Sequence, residues 1–168
     1  TTDGGQSWSE PQQPFGYNVY LSLYGIHFLD DDRGWLWSSD GIKSTADGGL
    51  SWQAPTSPGF QVFDAAFLDD QRGWAVGYRT DLAAGGVARG VIAATTDGGQ
   101  TWTTEVDETA GHSPLYGVSI VDANHGWSVG ADGAILAYAP DPGVRTLAVM
   151  IGGSGSGEVS SAPAGIAC

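Results

Sequence analysis

In short stretches along this chain, apolar residues stand at every second position, and each stretch stops at a turn rich in Asp and Gly. A period of two belongs to β-strands, whose successive side chains point to opposite faces. The periodicity of Ala-, Leu-, Glu- and Lys-rich helices is nearly absent. The stretches also recur. Residues 23–35 read LYGIHFLDDDRGW, residues 62–74 VFDAAFLDDQRGW and residues 115–127 LYGVSIVDANHGW. A second pattern alternates with the first, as TTDGGQSW at 1–8, TADGGLSW at 45–52 and TTDGGQTW at 95–102. Two interleaved motifs sharing a period of about 40 to 50 residues mark a repeat array.

Each repeat predicts four short strands. One ends at Asp-x-x-Arg-Gly, one carries Gly-Trp, one leads into Asp-Gly-Gly, and one starts at the tryptophan that follows. Asp40-Gly41 and Asp132-Gly133 fall between the second and third strands and suit a type I′ hairpin, whose two central residues need positive φ. A meander with Trp, Phe and Ile on both faces must be covered on both, so it stacks on its neighbours. Radial stacking of four-stranded sheets at this period is the β-propeller, which leaves only short edges, whereas a linear β-solenoid uses shorter coils. The expectation is an all-β partial propeller of about three four-stranded blades, at residues 20–54, 62–105 and 114–141, preceded by the last hairpin of an earlier blade. Since a ring takes about four to eight blades, the remaining ones are expected upstream in the native chain.

The Ser/Thr-x-Asp-x-Gly-x-x-Trp pattern resembles the Asp-box, or BNR, motif of sialidase-like and related propellers. With FLDD-x-RGW ahead of each box, the chain is most similar to the photosystem II assembly and stability factor-like branch, over roughly residues 1–141. The residue types suit a hairpin clasp. An aspartate opening a tight turn accepts backbone N–H groups two or three residues on, and the glycines supply positive φ. The threonine hydroxyl ties the incoming strand to the turn, and the indole shields these bonds from water. Thr1, Asp3, Gly5 and Trp8, then Thr45, Asp47, Gly49 and Trp52, then Thr95, Asp97, Gly99 and Trp102 are therefore read as structural. The alternative makes the three aspartates catalytic or metal ligands, but recurrence at one period is what a scaffold role predicts.

Charge narrows the function. The 168 residues carry 19 acidic and 6 basic side chains, for a net charge of −13. Nucleic-acid binding through phosphate neutralisation and recruitment to an anionic membrane both need the opposite balance. No apolar run reaches the roughly 18 residues that span a bilayer, so no membrane insertion is expected. Asp30-Asp31-Asp32 and Asp69-Asp70 invite calcium, yet the third copy reads Asp122-Ala123-Asn124, and only the first aspartate recurs. Arg33, Arg72 and His125 share one repeat position and are read as turn caps, while His27 stands at a variable strand position. Neither a metal nor a cofactor is expected, since no zinc spacing or phosphate-cradling motif occurs.

From about residue 144 the composition changes to TLAVMIGGSGSGEVSSAPAGIAC. This resembles the start of a divergent internalin-like B-repeat of bacterial surface proteins, which implies two units, a propeller at 1–143 and a truncated module at 144–168. The resemblance also implies an extracellular, periplasmic or cell-surface location, with Cys168 as half of a disulfide. A flexible Gly/Ser tail is the simpler reading.

In a meander, turns one and three share one end of the blade, and turn two and the inter-blade link share the other. The variable segments, 9–19, 38–41, 53–61, 77–90, 103–113 and 130–133, gather at that second end, where recognition is expected. Phe15, Tyr17, Tyr78, Arg79, Asp81, Arg89 and His112 are the candidate binding residues. The leading expectation is a non-catalytic scaffold for a protein or glycan ligand, with no catalytic residue. The alternative is a glycoside hydrolase of sialidase or xyloglucanase type with its site partly outside this chain. Asp81 is the least repeat-like carboxylate for it. No face of clustered arginines is visible in the sequence.

Overall fold

The computed structural model describes residues 4–7, 21–82, 85–107, 114–140 and 145–149. They form three antiparallel sheets. The first holds β1 (Leu23–Phe28), β2 (Gly34–Ser38) and β3 (Gly41–Thr45). The second holds β4 (Gln61–Phe67), β5 (Gly73–Asp81), β6 (Val87–Thr95) and β7 (Thr103–Asp107). The third holds β8 (Leu115–Asp122), β9 (His125–Gly130), β10 (Ile135–Pro140) and β11 (Arg145–Val149). Every sheet is a meander in chain order, so the architecture is a partial β-propeller. Among the described residues no helix is long and apolar enough to cross a membrane.

Two elements differ from the sequence expectation. The first sheet has three strands; in place of a fourth, the bridge between Ile42 and Thr56, with N–H···O bonds of 2.8 Å both ways, and a 2.8 Å bond from Gln53 N–H to Ser44 O hold the next segment to β3. Pro55 and Pro58 flank Thr56 and have no N–H to donate, so the pairing is broken on either side of the bridge. The segment of the second sheet that forms β7, Thr103–Asp107, contains no proline and pairs with β6 from end to end, with a bulge at Glu105. The third sheet, in turn, runs past the boundary expected at 143. β11 pairs with β10 from Pro140↔Arg145 to Leu136↔Val149 and serves as the fourth strand of the third repeat. Residues 150–168, including Cys168, lie outside the described residues.

The turns split as well. Asp132 and Gly133 have φ of 56° and 75°, and Ala134 N–H donates to Ala131 O at 3.1 Å, which makes the expected type I′ turn. At Asp40-Gly41 the register Ser38↔Gly41 moves the two-residue loop back to Ser39-Asp40. Gly41 opens β3 at φ 126°, where a Cβ would stand 2.5 Å from Thr56 O. The glycine answers the close approach of the bridging segment rather than the turn.

The first strand of each meander touches that of the next, β1 with β4 and β4 with β8, so the sheets stand side by side about a common axis. Along β5 the side chains alternate between two cores. Ala75 packs with Trp35, Trp37, Ile42, Val62, Ala65 and Phe67 towards the first sheet. Val76 packs with Leu115 and Leu136 towards the third. The second sheet is thus buried on both faces, which is how its two apolar faces are removed from water.

Candidate functional site

At one end of the sheets the Asp-Gly-Gly turns rest on the Asp-x-x-Arg-Gly turns. Gly48 N–H donates to Asp32 O and Gly98 N–H to Gln71 O, both at 2.8 Å. Within the two Asp-Gly-Gly turns described in full, threonine and aspartate share the hydrogen bonding. Thr45 Oγ1 accepts the N–H groups of Asp47 and Gly49, at 3.3 and 3.0 Å, and donates to Asp47 Oδ1 at 2.8 Å. Asp47 in turn accepts the N–H and hydroxyl of Ser51, four residues on instead of two or three. Thr95, Asp97, Gly99 and Thr101 repeat the arrangement. Trp52 and Trp102 donate their indole N–H groups to Gly49 O and Gly99 O at 3.1 Å. Gly5, at φ 90°, is described, whereas Thr1, Asp3 and Trp8 lie outside the described residues.

These carboxylates are committed to their turns. The Ser51 hydroxyl, then its N–H and the Thr45 hydroxyl, lower the Asp47 pKa to about 2, and Thr101 and Thr95 do the same for Asp97. The Arg33 side chain, 2.6 Å away, lowers Asp30 to about 2. Arg33 also reaches Asp70 of the next sheet at 3.2 Å, Arg72 caps Asp69 at 2.6 Å, and His125 meets Asp122 at 2.9 Å. The folded state therefore holds fewer protons than the unfolded chain at low pH. The stability these groups contribute is present above the ordinary value of 3.8 and is lost as pH falls towards 2. Calorimetry should find a melting temperature that drops between about pH 4 and about pH 2. In the double variant Asp47→Asn, Asp97→Asn that slope should be shallower; an unchanged slope would assign the acid sensitivity elsewhere.

The opposite end is built differently. β5 and β6 are nine residues each where β2 and β3 are five, so their hairpin extends past the blade. Tyr78, Arg79 and Asp81 lie on β5, and Arg79 pairs directly across the ladder with Arg89 of β6. Like charges placed opposite each other weaken a ladder, so this pair favours anions nearby. Its β5 member is exposed. Phe63 stacks on Tyr78 at 5.2 Å and meets Tyr116 of the third sheet at 5.4 Å, so three rings from two sheets form one shelf.

Phe63 and Tyr116 were not among the sequence candidates. Each first strand has a bulge at this point, between Leu23 and Gly25, Val62 and Asp64, and Leu115 and Gly117. The bulge bends the strand and re-aims the aromatic residue within it. The recurring aromatic at 24, 63 and 116 was the available signal. Asp64, also unforeseen, stands where the other repeats have Gly25 and Gly117. Its carboxylate accepts Val118 N–H at 2.9 Å and so ties the second sheet to the third, while burial pushes its pKa up. Phe15, Tyr17, His112 and the Asp81 side chain lie outside the described residues.

Residues 51–139, more than half the chain and both of the later repeats, match the family model described as photosynthesis system II assembly factor YCF48. The chain belongs to this family. The photosystem II assembly protein Ycf48 of Thermosynechococcus vestitus is 28% identical over 134 residues, 77% of this chain and 36% of that protein. The chloroplastic photosystem II stability/assembly factor HCF136 of Oryza sativa subsp. japonica is 30% identical over 82 residues, 49% of this chain and 17% of that protein. The chain spans well under half the length of these curated YCF48-family relatives. The solved structure of YCF48 from Cyanidioschyzon merolae superimposes with a TM-score of 0.59 at 22% identity, over 79% of this chain and 38% of that one. A structure titled YCF48 bound to D1 peptide gives 0.59 at 20% identity, over 77% of this chain and 40% of that one. These two likenesses establish the shared fold. The YCF48 relatives are assembly factors by name, and the glycoside hydrolase alternative gains no support from them.

Proposed function

We propose that this chain is part of a non-catalytic propeller that holds an extended segment of a partner protein on the face opposite the Asp-Gly-Gly turns. The observation that carries the reading is the shelf of Phe63, Tyr78 and Tyr116 towards the third sheet, with Arg79 and Arg89 on the other face of the same protruding hairpin. Aromatic rings and arginine dominate binding energy at protein interfaces, and arginine grips carboxylates with two parallel bonds. The expected ligand is a peptide with apolar or aromatic side chains next to an acidic residue or a chain terminus. The neighbour described as bound to D1 peptide supports a peptide as the ligand class. At the other end, the aspartates serve as Asp boxes whose carboxylates are already engaged in their turns, which favours binding over acid–base chemistry. The location follows from the C-terminal resemblance and is proposed as outside the cytoplasm, on an exported or surface protein; a glycan is the competing ligand.

Fluorescein-labelled peptides, acidic or neutral and with or without aromatic residues, would be titrated by anisotropy against the chain. Tyr116→Ala and the double variant Arg79→Gln, Arg89→Gln should each weaken the acidic aromatic peptide by about tenfold or more, as hot-spot truncations do. Far-ultraviolet circular dichroism should be unchanged. Affinity insensitive to both variants, or binding on a glycan array in place of peptides, would refute the reading.

A further inference from the structure

Three rings fill the seam between the first and second sheets. Trp35 stacks on Phe67 at 3.9 Å, and Phe67 meets Trp102 edge-on at 6.1 Å. The Trp35 indole N–H donates across the seam to Gly98 O at 2.8 Å. One repeat on, the corresponding residues in sequence are Trp74, Ile120 and Thr146, and Pro142 stands where Gly98 does. Two of the three rings are replaced by smaller, non-aromatic side chains.

A cavity of about 50 Å³ lies at this second seam, with Trp74, Ile92, Val118, Ile120, Ser128 and Leu136 on its walls. The lining is almost wholly apolar. Trp74 and Ser128 both line it, and among the described residues Trp74 Nε1 and Ser128 Oγ are buried side-chain atoms without a hydrogen-bond partner. Both residues are more than nine-tenths buried, at 8% and 4% exposure. Buried polar groups are ordinarily paired, so an unpartnered donor and hydroxyl on two residues that line one apolar cavity define the complement they lack.

We propose that this seam binds a small neutral molecule bearing a carbonyl-type oxygen on an apolar frame. The oxygen accepts the Trp74 N–H, the part Gly98 O takes for Trp35, and the Ser128 hydroxyl is the second polar contact. An anion is disfavoured by the apolar walls and by Glu105, the one carboxylate in the lining. The size suits the carbonyl end alone, since a cavity that encloses a whole benzene measures about 150 Å³. Trp127 and Tyr138, 44% and 37% exposed, also line it and supply apolar surface for the rest of the molecule.

Acetophenone and ethylbenzene, which differ by a carbonyl against a methylene, would be titrated into the ¹⁵N-labelled chain. The Trp74 indole resonance is assigned by its loss in Trp74→Phe. Acetophenone should shift that resonance downfield saturably and bind at least about tenfold more tightly than ethylbenzene, the cost of leaving the donor open. Ile120→Phe, which restores the ring present at Phe67, should abolish the shift. Should that variant fold poorly, Ser128→Ala should weaken acetophenone severalfold and leave ethylbenzene unchanged. No saturable shift at Trp74, equal affinity for the two ligands, or wild-type acetophenone binding by a folded Ile120→Phe or by Ser128→Ala would overturn the proposal.

Discussion

Replacing Phe67 with alanine is expected to lower the unfolding free energy by about 3–5 kcal/mol, the range for deleting a buried aromatic ring. The ring is 4% exposed and serves two sheets at once. Trp35 of the first sheet lies parallel to it, 7° off, and Trp102 of its own sheet meets it edge-on. Gly73 is a glycine because a Cβ there would stand 2.4 Å from the Phe67 ring, so no side chain is poised to refill the space. The cost is therefore lost transfer energy plus a cavity, with little collapse to offset it. Phe28 holds the same repeat position but is 38% exposed and meets only its own repeat's Trp52 among described rings. Phe28→Ala should cost far less. Urea unfolding of both variants measures the difference, and equal losses would show that the stack between sheets adds nothing.

Gly77→Ala should cost at least about 3 kcal/mol, the upper end of ordinary overpacking. A Cβ at this position would lie 1.9 Å from Gln61 O, with Gln61 C and Val62 Cα also near, at 2.9 and 3.1 Å. Those are backbone atoms of β4, so relief requires opening the β4–β5 ladder at its bulge rather than turning a side chain. Tyr78 and Phe63, the next residues along β5 and β4, would be carried apart. The variant should thus lose the near-ultraviolet dichroism of the shelf together with stability in urea. Loss of neither would mean that the bulge absorbs a methyl group freely.

Much of the architecture was legible because it rests on local chemistry that repeats. Period-two patterning with recurring Gly-Trp and Asp-Gly-Gly placed most of the strands. Asp132-Gly133 formed the turn its residues favour. The differences arise where a distant partner intervenes. Asp40-Gly41 carries the same dipeptide, yet Thr56 presses on Gly41 and the loop moves by a residue. The sequence from about residue 144 reads as the start of a new module or as a flexible tail, whereas residues 145–149 pair with β10.

The site was less legible. Tyr78, Arg79 and Arg89 stood out as departures from the repeat, but Phe63 and Tyr116 were hidden within it. A residue that recurs looks structural, and three bulges are needed before the aromatic can join a shelf spanning two sheets. Nor did the sequence announce that Arg79 faces Arg89, since strand length and register set that pairing.

By itself the amino-acid sequence determined the class of fold, the recurrence of its meanders and the threonine and aspartate that hydrogen-bond within the described Asp-Gly-Gly turns, because these depend on contacts a few residues apart. Tertiary structure alone decided which indole meets which carbonyl, which rings share a surface and where a cavity opens. Those outcomes depend on sheets meeting across tens of residues, which the local pattern does not encode.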